Sequence, residues 1–381
     1  MRIQLTDDFD EKRAVIKVLG VGGAGCNAVK RMVEADLAGV ELIAANTDAQ
    51  VLRLSQAHSC IQLGETTTKG LGVGGDAAKG RVAALESEEY LRDALKGADM
   101  VFVTTGMGGG TGTGGGPVVA RLAKELGALT VGIVTRPFEF EGLRRASIAE
   151  QGIQEMRQSV DTLIVIPNQR LFDVIDQNTT HDQAFRMADD VLRRAVQSIS
   201  ALITVPGEVN VDMNDLRAIM TNSGEALIGI GEASGPERAL SAAREAMTSP
   251  LLENVVIDGA KGLIVNIAGS QRGPAAVKTM EIEEIMATIH GTVSPDVNMK
   301  MGQVYDERLG ETVRVTVIAT GFPSRRSRGL QRASAARAGG LGGRGAAVAD
   351  EPSDAKLLAS LNESDRWTKP AFLRLKVRKL R

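Results

Sequence analysis

One eleven-residue run constrains the fold more than any other part of this chain: Met-Gly-Gly-Gly-Thr-Gly-Thr-Gly-Gly-Gly-Pro, Met107 to Pro117. Gly108, Gly109, Gly110, Gly112, Gly114, Gly115 and Gly116 leave only two side chains, Thr111 and Thr113. A loop almost without Cβ atoms lets many backbone N–H groups converge on one anion. The apolar run Met100–Thr105 before it reads as a buried strand. Pro117 fits the first turn of a following helix, whose N-terminus adds partial positive charge. Strand, glycine loop and helix together read as a di- or triphosphate cradle. A flexible glycine hinge is the plainer alternative. No Gly-Lys dipeptide occurs in the chain, so a Walker-type P-loop with its lysine is excluded.

A second glycine loop comes earlier. Gly20, Gly22 and Gly25 fit G-x-G-x-x-G between the apolar run Val15–Val21 and a helical stretch at Asn27–Leu37. Asp48 ends the next apolar run, Leu42–Ala45, where a dinucleotide fold keeps its ribose carboxylate. This loop by itself admits a nicotinamide dinucleotide. Further strands are expected at Thr130–Thr135 and Leu163–Ile166. Helices are expected near Asp76–Leu95, Pro117–Leu126 and Gly142–Gln158. Strand–helix alternation with β-branched strands means a parallel sheet covered on both faces.

Phe185, Ala188, Val191, Leu192, Ala195, Ile199, Leu202 and Ile203 recur at helical spacing, and Pro206-Gly207 closes that helix. Beyond it, strands at Leu227–Ile230, Gly262–Ala268, Asn298–Val304 and Thr312–Thr320 alternate with helical runs at Pro236–Met247 and Pro274–His290. They suggest a smaller α/β domain.

Composition narrows the function classes. Two cysteines among 381 residues exclude a disulfide framework and a four-thiolate zinc site, and fit a reducing, cytosolic setting. Aromatics are 3%, too few for a base-stacking nucleic-acid surface, so no nucleic acid is expected. No apolar run is long enough to span a bilayer, and the acidic, broken N-terminus does not read as a signal peptide. The net charge of −2 hides an asymmetry: residues 323–381 hold 14 Lys and Arg against 5 Asp and Glu. An acidic body carries a basic, Arg-, Ala- and Gly-rich tail that reads as a disordered linker and interaction arm. Apolar residues return near its end, in a short recognition peptide.

Polar candidates gather near the sheet mouth. Asn46 follows the second strand, Glu141 and Arg145 follow the fourth, and Asn168 follows the fifth. Arg145 fits a phosphate clamp or a solvated helix charge. Phe185 with Asp190 would stack a purine and accept from its N–H groups, or Phe185 is simply core. Asp212 and Asp215, three apart, would orient a water or a metal ion from one helical face. They equally fit a helix cap and its third residue. The long helix carries them far from both glycine loops.

GVGGAGCNAV, NTDAQ, GGGTGTG, PFEFEG and NVDMND, in this order, resemble the FtsZ family of bacterial cell-division GTPases, relatives of tubulin. The likeness covers residues 12–322 and the terminal peptide. It implies a Rossmann-like parallel-sheet GTPase domain (12–180), a central helix (181–205), and a synergy loop with a smaller C-terminal α/β domain (206–322). Flanking them would be a flexible N-terminus (1–11), a disordered linker (323–365) and a partner-binding peptide (366–381). It implies GTP or GDP as ligand, with Mg²⁺ held mainly by the phosphates and no protein ligand assigned to the metal. Nucleotide contacts would come from Gly22, Gly23, Ala24, Asn27, Asn46, the loop Gly108, Gly109, Gly110, Thr111, Gly112, Thr113 and Gly114, then Glu141, Arg145, Asn168, Phe185 and Asp190. Asp212 and Asp215 match the acids that complete a neighbouring subunit's site, so hydrolysis would depend on head-to-tail assembly into a filament.

The resemblance further implies a cytoplasmic protein that assembles into the septal ring at midcell. Pro370, Phe372, Leu373 and Arg374 match the peptide that binds membrane-tethering division proteins. The basic run after it would contact anionic membrane. Glu208, Met213 and Asn214 depart from the usual synergy loop, as Lys369 does from the usual peptide. A filament former that hydrolyses poorly therefore stands beside the GTPase reading, as does the nicotinamide oxidoreductase.

Overall fold

The computed structural model describes residues 14–173, 178–205, 207–252 and 259–322. The N-terminal expectation for 1–11, the linker, the terminal peptide with Pro370, Phe372, Leu373 and Arg374, and Pro206 lie outside the described residues. The described residues belong to one compact unit, Met1–Pro323.

In chain order the first half runs β1 (Ile16–Val21), α1 (Gly22–Glu34), β2 (Val40–Asn46), α2 (Ala49–Arg53), β3 (Ser59–Gln62) and α3 (Glu65–Thr68). It continues with α4 (Ala77–Glu86), α5 (Glu88–Leu95), β4 (Met100–Gly106), α6 (Thr111–Glu125), β5 (Leu129–Arg136), α7 (Leu143–Ser159) and β6 (Thr162–Pro167). Then come α8 (His181–Thr204), α9 (Met213–Met220), β7 (Gly224–Ala233) and α10 (Arg238–Met247). β8 (Gly262–Gly269), α11 (Thr279–His290), β9 (Asn298–Tyr305) and β10 (Val313–Thr320) complete it.

The ten strands form one sheet in the order β3-β2-β1-β4-β5-β6-β7-β10-β8-β9. From β3 to β7 every pairing is parallel. β10 is antiparallel to both β7 and β8. The two expected α/β halves therefore share a continuous sheet, joined where β6 pairs briefly with β7 through Thr162–Ile164 and Gly224–Ala226. β1 and β4 lie side by side although β2 and β3 intervene in sequence. That reversal opens a crevice at their carboxyl ends, and both glycine loops emerge there.

Three apolar layers hold this together. One surrounds α8, whose Leu192, Ala195, Val196 and Ile199 are buried against α1, β5, β7 and the inner faces of β8 and β10. A second lies under α4–α7 on the other face of the first half. A third lies under α10 and α11. α8 begins four residues before Phe185 because a capping box precedes it. Thr180 Oγ1 accepts from Gln183 N at 3.3 Å, and Gln183 Oε1 accepts from Thr180 N at 2.8 Å.

Two expectations change. The single helix over Asp76–Leu95 is two helices that meet at Ser87. Pro117 is not in a first turn: α6 starts at Thr111 and carries Pro117 inside it. The earlier start is possible because Gly114 lies directly on the Ala77 carbonyl of α4, an approach that no Cβ would allow. The later glycines of the run thus seat α6 against α4.

Candidate functional site: a glycine cradle and a remote pair of acids

The two glycine loops meet. A Cβ on Gly22, at the start of α1, would lie 2.8 Å from Gly112 N and 3.3 Å from Thr111 Cβ. Neither α1 nor α6 has a side-chain cap at its N-terminus, where Val21 and Gly110 occupy the cap positions. Each helix start leaves N–H groups without intrahelical partners. Two such ends side by side make a strong anion site. Gly23 and Gly109 face open space, and Ala24 is half-buried beside Gly23.

The threonine side chains of the loop are occupied with holding it. Thr111 Oγ1 lies 2.6 Å from Thr47 Oγ1, and Thr113 Oγ1 accepts from Gly108 N at 2.9 Å. Gly112 abuts Thr105, again too closely for a side chain.

A third glycine loop closes the cradle, and the sequence reading passed over it. Gly70, Gly72, Gly74 and Gly75 all have positive φ, and Val73 packs a methyl 2.5 Å from where a Gly110 Cβ would be. The signal was present in the run Gly-Leu-Gly-Val-Gly-Gly ahead of Asp76, which caps α4 through Lys79 N at 3.1 Å. Leu71, at the loop's edge, is 83% exposed.

Beside the cradle, Glu141 and Arg145 pair at 2.9 Å. Glu141 is nearly buried and also accepts from Phe138 N at 2.8 Å. The Arg145 stem covers Gly108, leaving the guanidinium half-exposed at the rim. Asn46, the last residue of β2, is held from within the fold. It is 3% exposed, its amide donates to Cys26 Sγ at 3.8 Å, and its Oδ1 accepts from Asp48 N. Burial pushes the Cys26 thiol up to about 12, with Asn46 opposing. Asp48 caps α2 by accepting from Gln50 N at 2.8 Å. The carboxylate on which a nicotinamide reading depended is therefore engaged.

The remaining candidates lie on α1, on the turn after β6 and on α8. Gly23, Asn27 and Arg31 follow each other at four-residue steps along α1, and Asn27 is exposed. Phe185 packs edge-on to Phe138 at 5.3 Å and to His181 at 4.9 Å. Asn168, 4% exposed, has its Oδ1 buried without a partner.

Asp190 is directed elsewhere. It pairs with Arg193 at 2.7 Å and Arg194 at 2.6 Å. Burial pushes its carboxyl up, but the two arginines outweigh that and hold it below the usual range. Asp189, which the sequence reading did not single out, shares a helix face with Phe185. It is 8% exposed and makes no hydrogen bond or ion pair among the described residues. Burial raises its carboxyl to about 7, against the pull of Arg31 and with a small push from Asp182. An acidic residue buried without a partner is costly, and groups of this kind cluster at functional sites.

Asp212 and Asp215 sit at the other end of the molecule. Asp212 caps α9, its Oδ1 accepting from Asp215 N at 2.7 Å, and Asp215 Oδ1 pairs with Lys300 at 2.7 Å. From Phe185, near the carboxyl ends of the strands, α8 descends about 28 Å to Thr204 at 1.5 Å per residue. Thr204 contacts Gly39, just before β2 begins. α9 is pinned there too, since Arg217 donates to the Asp99 carbonyl, just before β4, at 3.0 Å. Glycine cradle and acids thus occupy opposite ends of the sheet.

Residues 15–176 match the GTPase domain of the Tubulin/FtsZ family, and residues 224–323 match the C-terminal domain of the FtsZ family. The chain belongs to the FtsZ family. It is a GTPase of that family's Rossmann-like fold. An empty FtsZ dimer from M. jannaschii is 43% identical over 83% of this chain and 90% of its own, with a TM-score of 0.79. A Trp-to-Tyr point mutant of M. jannaschii FtsZ gives the same identity and TM-score over 93% of its length. CetZ1 from Haloferax volcanii, a GDP-bound monomer, shares the fold at 23% identity and a TM-score of 0.69, over 85% of this chain and 99% of its own. Among the described residues no helix is long and apolar enough to cross a membrane.

Proposed function

We propose that this chain binds GTP across its glycine loops, stacks head-to-tail into filaments, and hydrolyses GTP where two subunits meet. The single observation behind this reading is the separation of cradle and acids. A subunit with its anion site at one end of the sheet and its carboxylates at the other has no complete hydrolytic site of its own. Head-to-tail stacking supplies the missing half, and such a contact propagates as an open filament. The M. jannaschii dimer, and a CetZ2 from Haloferax volcanii described as a GTPγS-bound protofilament, are precedents in related chains.

The residues then take these roles. The amides at the starts of α1 and α6, with the 70–75 loop, hold the phosphates. Arg145 clamps from the rim. Asn27, Asn168 and Asp189 accept from or donate to the guanine edge, and Phe185 lies against its face. Asp189 replaces Asp190 in this role because it is four residues from Phe185 and lacks a partner. Its carboxylate would accept the N–H donors of guanine and be held ionised by them. Asp212 and Asp215 orient the attacking water in the neighbour's site. Phosphoryl transfer asks for positioning and charge stabilisation above all. With no P-loop lysine, Mg²⁺ carried by the phosphates would supply much of the positive charge. Among the described residues no cluster of three or more His, Cys, Asp or Glu could hold a metal. We place the filament in the cytoplasm, as the septal ring at midcell, tethered through the terminal peptide to membrane-anchored division proteins and, through its basic run, to anionic lipid.

Asp212→Ala tests the assignment. GTP affinity of the isolated subunit should stay within twofold of the unaltered chain, while turnover in assembled protein falls at least a hundredfold. Loss of GTP affinity in the isolated subunit would contradict a role in the neighbour's site.

A further inference from the structure

β9 is the last strand of the sheet, and its outer edge has no strand partner among the described residues. Open edges are usually covered. Here the segment that carries the two acids does the covering, and it runs antiparallel to β9. Tyr305 donates its hydroxyl to Glu208 at 3.0 Å, Gln303 N donates to the Val209 carbonyl at 3.0 Å, and Lys300 Nζ lies 2.7 Å from Asp215 Oδ1. Gly207 stacks on the Gln303 backbone, where a side chain would not fit. Of these tethers only Lys300 touches an acid assigned to the reaction. Its neighbours Met299 and Met301 pack against the apolar layer under α10 and α11. Lys300, between them in β9, projects from the opposite face and carries its ammonium group to Asp215.

We propose that Lys300 is a positioning residue for GTP hydrolysis. This rests on the reading that Asp212 and Asp215 act in a neighbouring subunit. Asp212 is aimed by its own cap, but Asp215 has no backbone donor holding its carboxylate. Lys300 supplies that fixed point and sets which oxygen stays free for water. It also acts on charge. Glu208, Asp212 and Asp215 would bring three carboxylates toward a triphosphate, and like charges brought together oppose docking. One ammonium bound to Asp215 offsets part of that repulsion, in a site that has no P-loop lysine to do so.

Lys300→Met keeps the approximate length of the side chain without its charge, while Lys300→Arg keeps the charge. Three quantities are measured for each: GTP affinity of the isolated subunit, critical concentration for assembly with a slowly hydrolysed GTP analogue, and turnover well above that concentration. For Lys300→Met we expect the first two within twofold of the unaltered chain and turnover down about tenfold. Lys300→Arg should recover at least half the turnover. Asp215→Asn combined with Lys300→Met should be no slower than Asp215→Asn alone, because a residue acting through another gives non-additive losses.

Turnover of Lys300→Met within twofold, a rise in its critical concentration that accounts for the loss, failure of the arginine variant to recover, or an additive double variant would each overturn the proposal. If the unaltered chain hydrolyses GTP equally well when diluted below assembly, the neighbouring-subunit reading fails instead. The two failures are therefore distinguishable.

Discussion

At the residue scale the informative groups are those whose local chemistry is left incomplete. Asp189 is buried, unpaired among the described residues, and raised to about 7. Its folded value lies above its unfolded one, so folding binds an extra proton between roughly pH 4 and 7. Stability from this group falls as pH rises through that window, and above it the buried charge is a standing cost. Asp189→Asn should therefore raise the melting temperature more at pH 8 than at pH 5. Guanine donors would reward the ionised form, so GDP affinity of the isolated subunit should weaken about tenfold from pH 8 to pH 6. In Asp189→Asn, affinity should be lower at pH 8 and flat with pH. An equal slope in the variant would place the titrating group elsewhere. The arginine-paired Asp190 contrasts with it: Asp190→Asn should leave guanine binding within a fewfold, since its carboxylate is already engaged.

At the element scale, glycines do two different jobs in one run. Those at the start of α6 keep the anion site open, and Gly114 lets α6 lie on α4. Gly114→Ala would drive a methyl into the Ala77 carbonyl. The expected cost is about 1–3 kcal/mol, as for other overpacked contacts, read as a lower melting temperature. Unchanged stability would mean that the helices can separate freely.

The strands were legible because β-branched apolar runs alternate with amphipathic helices, and β1, β4, β5, β6 and β8 fall within a residue or two of expectation. β3, Ser59–Gln62, was not, because a four-residue edge strand with half-buried side chains carries no apolar run. The start of α6 was not, because glycine and proline locally signal a loop, and the packing on α4 that overrides them is long-range. Asp189 was missed because periodicity marks apolar faces and does not tell two adjacent aspartates apart. Of the competing readings of Asp212 and Asp215, the cap is the one seen, with Asp212 accepting from Asp215 N, and the proposed role in a neighbour's site would use the same orientation.

At the scale of the whole molecule, the sheet separates two half-sites. β1 and β4 deliver the glycine loops to one end. α8 and the tethered loop along β9 deliver the acids to the other. A single chain folded this way cannot bring them together, whatever its side chains do. Rate and assembly are then one property, and their link can be read directly from dilution. The decisive measurement is GTP turnover per subunit against protein concentration, with Mg²⁺ present. The expected result is negligible turnover below a threshold concentration and a linear rise in total rate above it, with the threshold coinciding with filament formation. A turnover per subunit that is constant through dilution would contradict the account, because it would mean that each chain carries a complete site of its own.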